Sequence, residues 1–205
     1  MAPPKTRPRK RLPAVERRQQ IAELALELIA ERGVSQLTAA ALAARLELSD
    51  AALFRHFDGM TAIVDAAIDV FESGLLEGFP PTHADPTTRL RLFFLQRTSL
   101  VQSAPHILKL AFDERLVDNV GAVSAQRIRR IVKRSQQFVA DCIEEAQRQG
   151  RIADDIPTSV LAAAVIGVVR SSVSLRSTDR RSKSDATPEA LWQAVEKLLL
   201  RSAER

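Results

Sequence analysis

The run Asp50-Ala51-Ala52-Leu53-Phe54-Arg55-His56-Phe57 collects residue types suited to reading a DNA groove. Leu53 and Phe57 stand four apart and predict the inward face of a short helix. Arg55 and His56 fall off that face, and an arginine fork bonds a guanine edge or grips a phosphate. Ala51 and Ala52 are small enough to let the backbone approach a duplex closely. Ser49 suits an N-cap, because its hydroxyl takes a free first-turn N–H. Thr38 opens the preceding helix, where a hydroxyl and the helix dipole favour a phosphate. The spacing also fits an ordinary helical hairpin with a surface Arg and His, and by itself leaves both readings open. Catalysis has less support. His56, His83 and His106 fall in different elements, and HExxH, GxSxG, GxGxxG and P-loop patterns are absent from the sequence. Asp113 and Glu114 are adjacent and do not share a helix face. No enzyme, cofactor or metal site is expected.

Short helices joined by a tight link must position these residues. The first helix starts near Ala14, carries Ile21, Leu24, Ala25 and Leu28 at helical spacing, and stops at Gly33 as a left-handed cap. Thr38 to Leu46 and Asp50 to Phe57 follow, linked by Glu47-Leu48, and together they read as a helix-turn-helix. Asp58-Gly59 breaks the chain before a longer helix from Met60 to Leu76. Gly78-Phe79-Pro80-Pro81 is the clearest internal break. Asp85-Pro86, Pro105, Pro157 and Thr187-Pro188 each open a further helix. The longest runs from about Ala122 to Gln149, and Ser177 to Ala186 is a polar loop. The expected fold is all-α with about nine helices. A basic arm spans 1–13, a helix-turn-helix domain 14–60, and a second helical domain 61–205.

Composition agrees. The 205 residues are 45% hydrophobic and 27% charged, with aromatics at 4%, no Tyr and only 7 Gly. That balance favours helices and excludes a chain too polar to fold. The longest uncharged run, Ile156 to Val169, has 14 residues where a membrane span needs about 20. The lone Cys142 excludes an internal disulfide and fits a reducing cytoplasm, the expected location. Residues 1–18 hold seven cations against Glu16 alone, whereas the whole chain is +5, so the remainder is slightly acidic. A basic arm on a near-neutral body points to a polyanion partner.

Arg18 to Ile63 resembles the DNA-binding domain of the TetR family of bacterial repressors. The likeness rests on Arg18, Ile21, Ala25 and Gly33, then Thr38, Leu42-Ala43 and Leu48-Ser49. It closes on Ala51 and Leu53-Phe54-Arg55-His56-Phe57. It covers about 45 residues without a gap. Arg18, Thr38, Ser49, Asp50, Ala51, Ala52, Phe54, Arg55 and His56 are the DNA-binding residues it implies. Glu47, Phe54 and Met60 depart from the family's Gly, Tyr and Lys, which puts two backbone contacts and one turn at issue. A glutamate at a position needing positive φ costs stability. The arm can compensate along the backbone or in the minor groove.

The resemblance also implies that the last two helices pair with those of a second copy. Leu161, Val165, Val168, Trp192, Val195 and Leu199 are expected at that homodimer interface. A small-molecule effector, unidentified, is expected between the middle helices, lined by Phe93, Phe94, Phe112, Phe138 and Cys142. The implied function is a repressor released by its effector from a palindromic operator in double-stranded DNA. Ser49 to Phe57 and Thr88 to Leu92 also resemble the family's nucleoid-occlusion branch. That makes a DNA-bound adaptor contacting a protein the alternative. An apolar pocket open to a ligand favours the first reading. A filled core with a basic external groove favours the second. Arg127, Arg129, Arg130, Lys133 and Arg134 form one candidate basic face, with a solvated surface as its default reading.

Overall fold

The computed structural model describes residues 13–152, 154–178 and 187–200. Among these it is helical with no strand, the all-α class expected. The helices are α1 (Ala14–Arg32), α2 (Ala39–Leu46), α3 (Asp50–Leu53), α4 (Met60–Leu76), α5 (Pro86–Ser103), α6 (Pro105–Phe112), α7 (Glu114–Asn119), α8 (Ala122–Arg148), α9 (Thr158–Thr178) and α10 (Pro188–Leu200). The described residues therefore hold ten α-helices where about nine were expected. The unforeseen one is α7, started by the Asp113 carboxylate accepting from the Arg115 and Leu116 backbone N–H groups. Residues 1–12 of the expected 1–13 arm, and most of the polar loop expected over Ser177 to Ala186 with its cations Arg180, Arg181 and Lys183, lie outside the described residues. Helix α9 continues to Thr178, into the segment expected to be loop.

Local sequence explains the boundaries. Proline occupies the first turn of α5 and α6, where its missing N–H costs nothing. Gly33 ends α1 at φ 84° and ψ 160°, with its N–H on the Ile29 carbonyl. The positive φ is the reason for glycine there. Its ψ lies outside the left-handed helical well that had been expected, and a 3-10 turn (Val34–Gln36) follows.

The buried apolar residues form two clusters. One joins α1 to α4 with α6, α7 and the first half of α8. The other joins α5, the second half of α8, α9 and α10. Helix α8, about 40 Å long at 1.5 Å per residue, runs through both. It gives Ala125, Ile128 and Ile131 to the first and Val139, Cys142, Ile143 and Ala146 to the second. Arg127 of α8 grips α4 electrostatically: Nε donates to Glu72 at 3.0 Å, and Nη2 to Glu72 at 2.8 Å and Asp69 at 2.5 Å. Helix α6 also lies close on α4. A Cβ on Gly74 would collide with Ile107 Cδ1, so only glycine allows that approach without displacement.

Candidate nucleic-acid interface

Helices α2 and α3 meet through a three-residue link, with both starts fixed by hydroxyl caps. Thr38 Oγ1 accepts from the Ala41 N–H at 3.1 Å, and Ser49 Oγ from the Ala52 N–H at 3.2 Å. Leu42, Leu53 and Phe57 are buried in the first cluster with residues of α1 and α4, and Ala43 and Ala52 are buried as well. Asp50, Ala51, Phe54 and Arg55 are exposed, and His56 is half-buried. The face left open thus holds Asp50, Ala51, Phe54 and Arg55 at the first turn and just beyond it.

Two expectations change here. Ala52 faces the core at 7% exposure and is not on the open face. It directly precedes Leu53, and the turn of the helix sends both inward. The recognition segment is also shorter than expected. Asp50–Leu53 is helical and residues 54–56 form turns. Arg18, although exposed, is engaged within the protein. Its guanidinium donates to the His56 carbonyl and lies 4.2 Å from the centre of the Phe57 ring. It therefore ties α1 to the chain leaving α3.

Glu47 occupies the left-handed region at φ 53° and ψ 45°, the one non-glycine residue with positive φ among those described. Its N–H caps the Ala43 and Ala44 carbonyls. This is the turn where glutamate was expected to cost stability. Met60 is half-buried against the first cluster, so its side chain serves packing. Phe54 is 42% exposed, an apolar surface beside Arg55.

The expected effector residues separate in space. Phe93 and Phe112 border a small internal cavity of about 30 Å³, lined from α4, α5, α6, α8 and α9. Phe138 instead lines an outer groove of about 420 Å³ with Phe79, Arg130, Lys133 and Arg134. Phe94 packs on Trp192, ring centres 5.5 Å apart, and Cys142 is 2% exposed in the second cluster; they border neither space. Burial pushes the Cys142 thiol up, which keeps it protonated. Sequence reasoning passed over Arg97 and read Ser135 only as part of the inward face of the longest helix; both are buried and both border the cavity. Arg97 stands four residues after Phe93, on the apolar stripe of α5, and that misplaced charge was the available signal.

Five of the six expected dimer residues, Leu161, Val165, Trp192, Val195 and Leu199, are buried within the single chain, and Val168 is half-buried. They are the inward faces of α9 and α10, packed on α5 and α8. A helix apolar nearly all round has two greasy faces, and periodicity does not say which one its own chain covers. The outer face of α9 carries Val160 at 55% exposure with exposed Ala163, Ala164 and Gly167, and α10 adds Leu198 at 66%.

Among the described residues, hydroxyl-capped α2 and α3, joined by three residues beside α1, have the form of a helix-turn-helix. Residues 21–67 match the family model for bacterial regulatory proteins of the tetR family. The nucleoid occlusion factor SlmA of Haemophilus influenzae is 26% identical over 188 residues, spanning 89% of this chain and 86% of that protein. Its Salmonella paratyphi A counterpart is 29% identical, spanning 80% and 88%. Two solved structures share the fold at 19% identity. The ketosteroid regulator KstR2 of Mycobacterium tuberculosis has TM-score 0.74, covering 89% of this chain and 93% of its own. AibR, solved with isovaleryl coenzyme A and operator DNA, has TM-score 0.71, covering 90% and 98%. Residues 21–67 thus match a DNA-binding domain of the tetR type, and the chain shares its fold with the solved transcriptional regulators it resembles. No helix among the described residues is long and apolar enough to cross a membrane.

Proposed function

We propose that the chain acts as a homodimer that reads a palindromic DNA site through α3, as a repressor released by a small molecule held between α5, α6, α8 and α9. The observation that carries the DNA reading is the open face of α3. Arg55 and Phe54 are exposed beside Ala51, which is small enough for close approach. Arg55 suits a guanine edge, Phe54 a thymine methyl, and the hydroxyls of Thr38 and Ser49 phosphate oxygens. Asp50 accepts from a cytosine amine. His56 and Arg18 steer these groups from behind, and the cations of residues 5–11 add sequence-independent attraction. The second copy docks on the outer stripe Val160, Ala163, Ala164 and Gly167 together with Leu198. Two such heads read half-sites about one helical turn, ~34 Å, apart.

Release works through geometry. Leu75 of α4 borders the internal cavity, and α6, which walls it, touches α4 at Gly74. A ligand that spreads α6 from α8 therefore displaces the helix that leads out of the reading head. A ~100-fold loss of DNA affinity requires ~2.7 kcal/mol of ligand preference for the spread state.

A DNA-bound adaptor is the second reading. It is favoured by the outer groove, where Phe79 and Phe138 are rimmed by Arg130, Lys133 and Arg134, and by the similarity to nucleoid occlusion factors. Selection of bound duplexes from a random pool at two salt concentrations tests the proposal. A palindrome supports it, and salt-sensitive binding with no motif moves the weight to the adaptor.

A further inference from the structure

Arg97 is 2% exposed, and its Nη1 and Nη2 have no hydrogen-bond partner among the described residues. Its guanidinium rests on the faces of Phe93 at 4.9 Å and Phe79 at 5.3 Å, which attract a cation without neutralising it. Ser135, 8% exposed on the facing helix, also has a hydroxyl without a partner. Both residues line the internal cavity of about 30 Å³. Two unsatisfied polar groups packed just behind the lining of this cavity, whose wall also holds Gln136, are costly, and buried groups of this kind ordinarily find partners. Burial pushes the Arg97 guanidinium down to about 10, the direction expected of a desolvated cation without a counter-charge.

The cavity abuts a second space across a shared wall. Leu108, Ala111, Phe112, Val132 and Gln136 also line an open cleft of about 550 Å³ on the outer side. The cleft falls in the size range of small-molecule sites, roughly 300–1,000 Å³. The inner cavity has about the volume of one water molecule, ~30 Å³. That is room for a head group at most, so the remainder of any ligand has to lie in the cleft, with Phe112 and Gln136 turned aside to let it pass.

We infer that this is the effector site and that it takes an organic acid. The carboxylate accepts from Arg97 and Ser135, and the hydrocarbon runs between Phe112 and Val132 into the cleft. The inference rests on the ligand-responsive reading above and names the ligand class. Two parallel N–H donors match a carboxylate, and the aromatic faces behind them hold the fork in place. An uncharged amide of the same shape would leave the guanidinium uncompensated.

The test uses the full-length protein and straight-chain acids from acetate to octanoate plus benzoate, each beside its amide. Binding is followed by calorimetry and by the thermal midpoint. One or more acids are expected to bind at least about tenfold tighter than the matching amide. Arg97→Met is expected to erase that preference and to melt at or above wild type, because it removes an unpaired buried charge. Arg97→Lys, the second variant, is expected to keep part of the preference. Equal binding of acid and amide, no binding across the series, or a preference that survives Arg97→Met overturns the assignment. Affinity for a selected duplex is measured in parallel. Acids that bind without changing it sink the regulator reading and leave the carboxylate site standing. An unresponsive site with intact DNA reading does the reverse.

Discussion

Replacing Glu47 by glycine is expected to stabilise the protein and leave the reading head intact. Glu47 sits at φ 53° and ψ 45°, where the Cβ crowds the following carbonyl at a cost of about 1–2 kcal/mol. Glycine removes that crowding but gains about 0.4–1 kcal/mol of freedom in the unfolded chain. The net backbone gain is therefore about 0.5–1 kcal/mol. At roughly 2–4 °C per kcal/mol for a chain of this size, the midpoint rises by about 1–4 °C. Glu47→Ala is the control: it also discards whatever the side chain contacts but keeps the strained backbone. Circular dichroism melts of Glu47→Gly against Glu47→Ala isolate the backbone contribution. Both variants remove one negative charge from the reading head and should bind DNA about twofold tighter, the scale of one charge ~10 Å from phosphates in water. A glycine variant that melts at or below the alanine variant refutes the strain argument.

Val160→Asp places a charge on the outer stripe, where Val160 is 55% exposed. It is expected to dissociate the dimer in sedimentation while leaving helix content unchanged; a dimer that persists moves the interface elsewhere. Asp85 caps α5, and Thr87 and Thr88, with smaller help from Arg151, hold its carboxyl well below the ordinary 3.8. The unfolded chain therefore binds the proton more readily, so this stabilisation is present above pH ~4 and fades as the pH falls below it. Asp85→Ala should cost about 1–2 kcal/mol at pH 7. Its deficit should narrow between pH 5 and pH 3 in denaturant titrations, whereas a constant deficit contradicts the linkage. Deleting residues 1–13 should weaken DNA binding and flatten its salt slope by several units, since five cations leave with the arm. An unchanged slope removes the arm from the interface.

Much of the fold is written in local signals. Prolines at helix starts, the Ser49 and Thr38 caps and the Ile21–Leu28 periodicity locate nearly every helix start, because each depends on a few neighbouring residues. Helix α7 is hard to read from sequence because its six residues carry no full apolar period, and only the structure shows the Asp113 carboxylate acting as its cap. The interface residues expected on α9 and α10 lie mostly inside the single chain. Both sides of α9 are apolar, and only the position of α5 and α8 decides that Leu161 and Val165 point inward while Val160 points out. Ala52 failed in a simpler way: its size suggested close approach to DNA, yet its angle about α3 sends it to the core. Arg97 stayed unnoticed because a single cation among Phe93, Phe94 and Leu95 reads as a surface residue until α8 and the Phe79 ring close over it.

The most direct measurement compares wild type and Arg55→Ala in one selection experiment, from the same random duplex pool and at the same salt. Arg55 is exposed in the turn just after α3, and a bidentate arginine contact discriminates bases by about 1–3 kcal/mol. Wild type should return a palindrome. Arg55→Ala should return the same palindrome with sequence preference lost at one position in each half-site, placed symmetrically about the centre. An unchanged motif from the variant, or no motif from wild type, contradicts the claim that this face of α3 reads DNA.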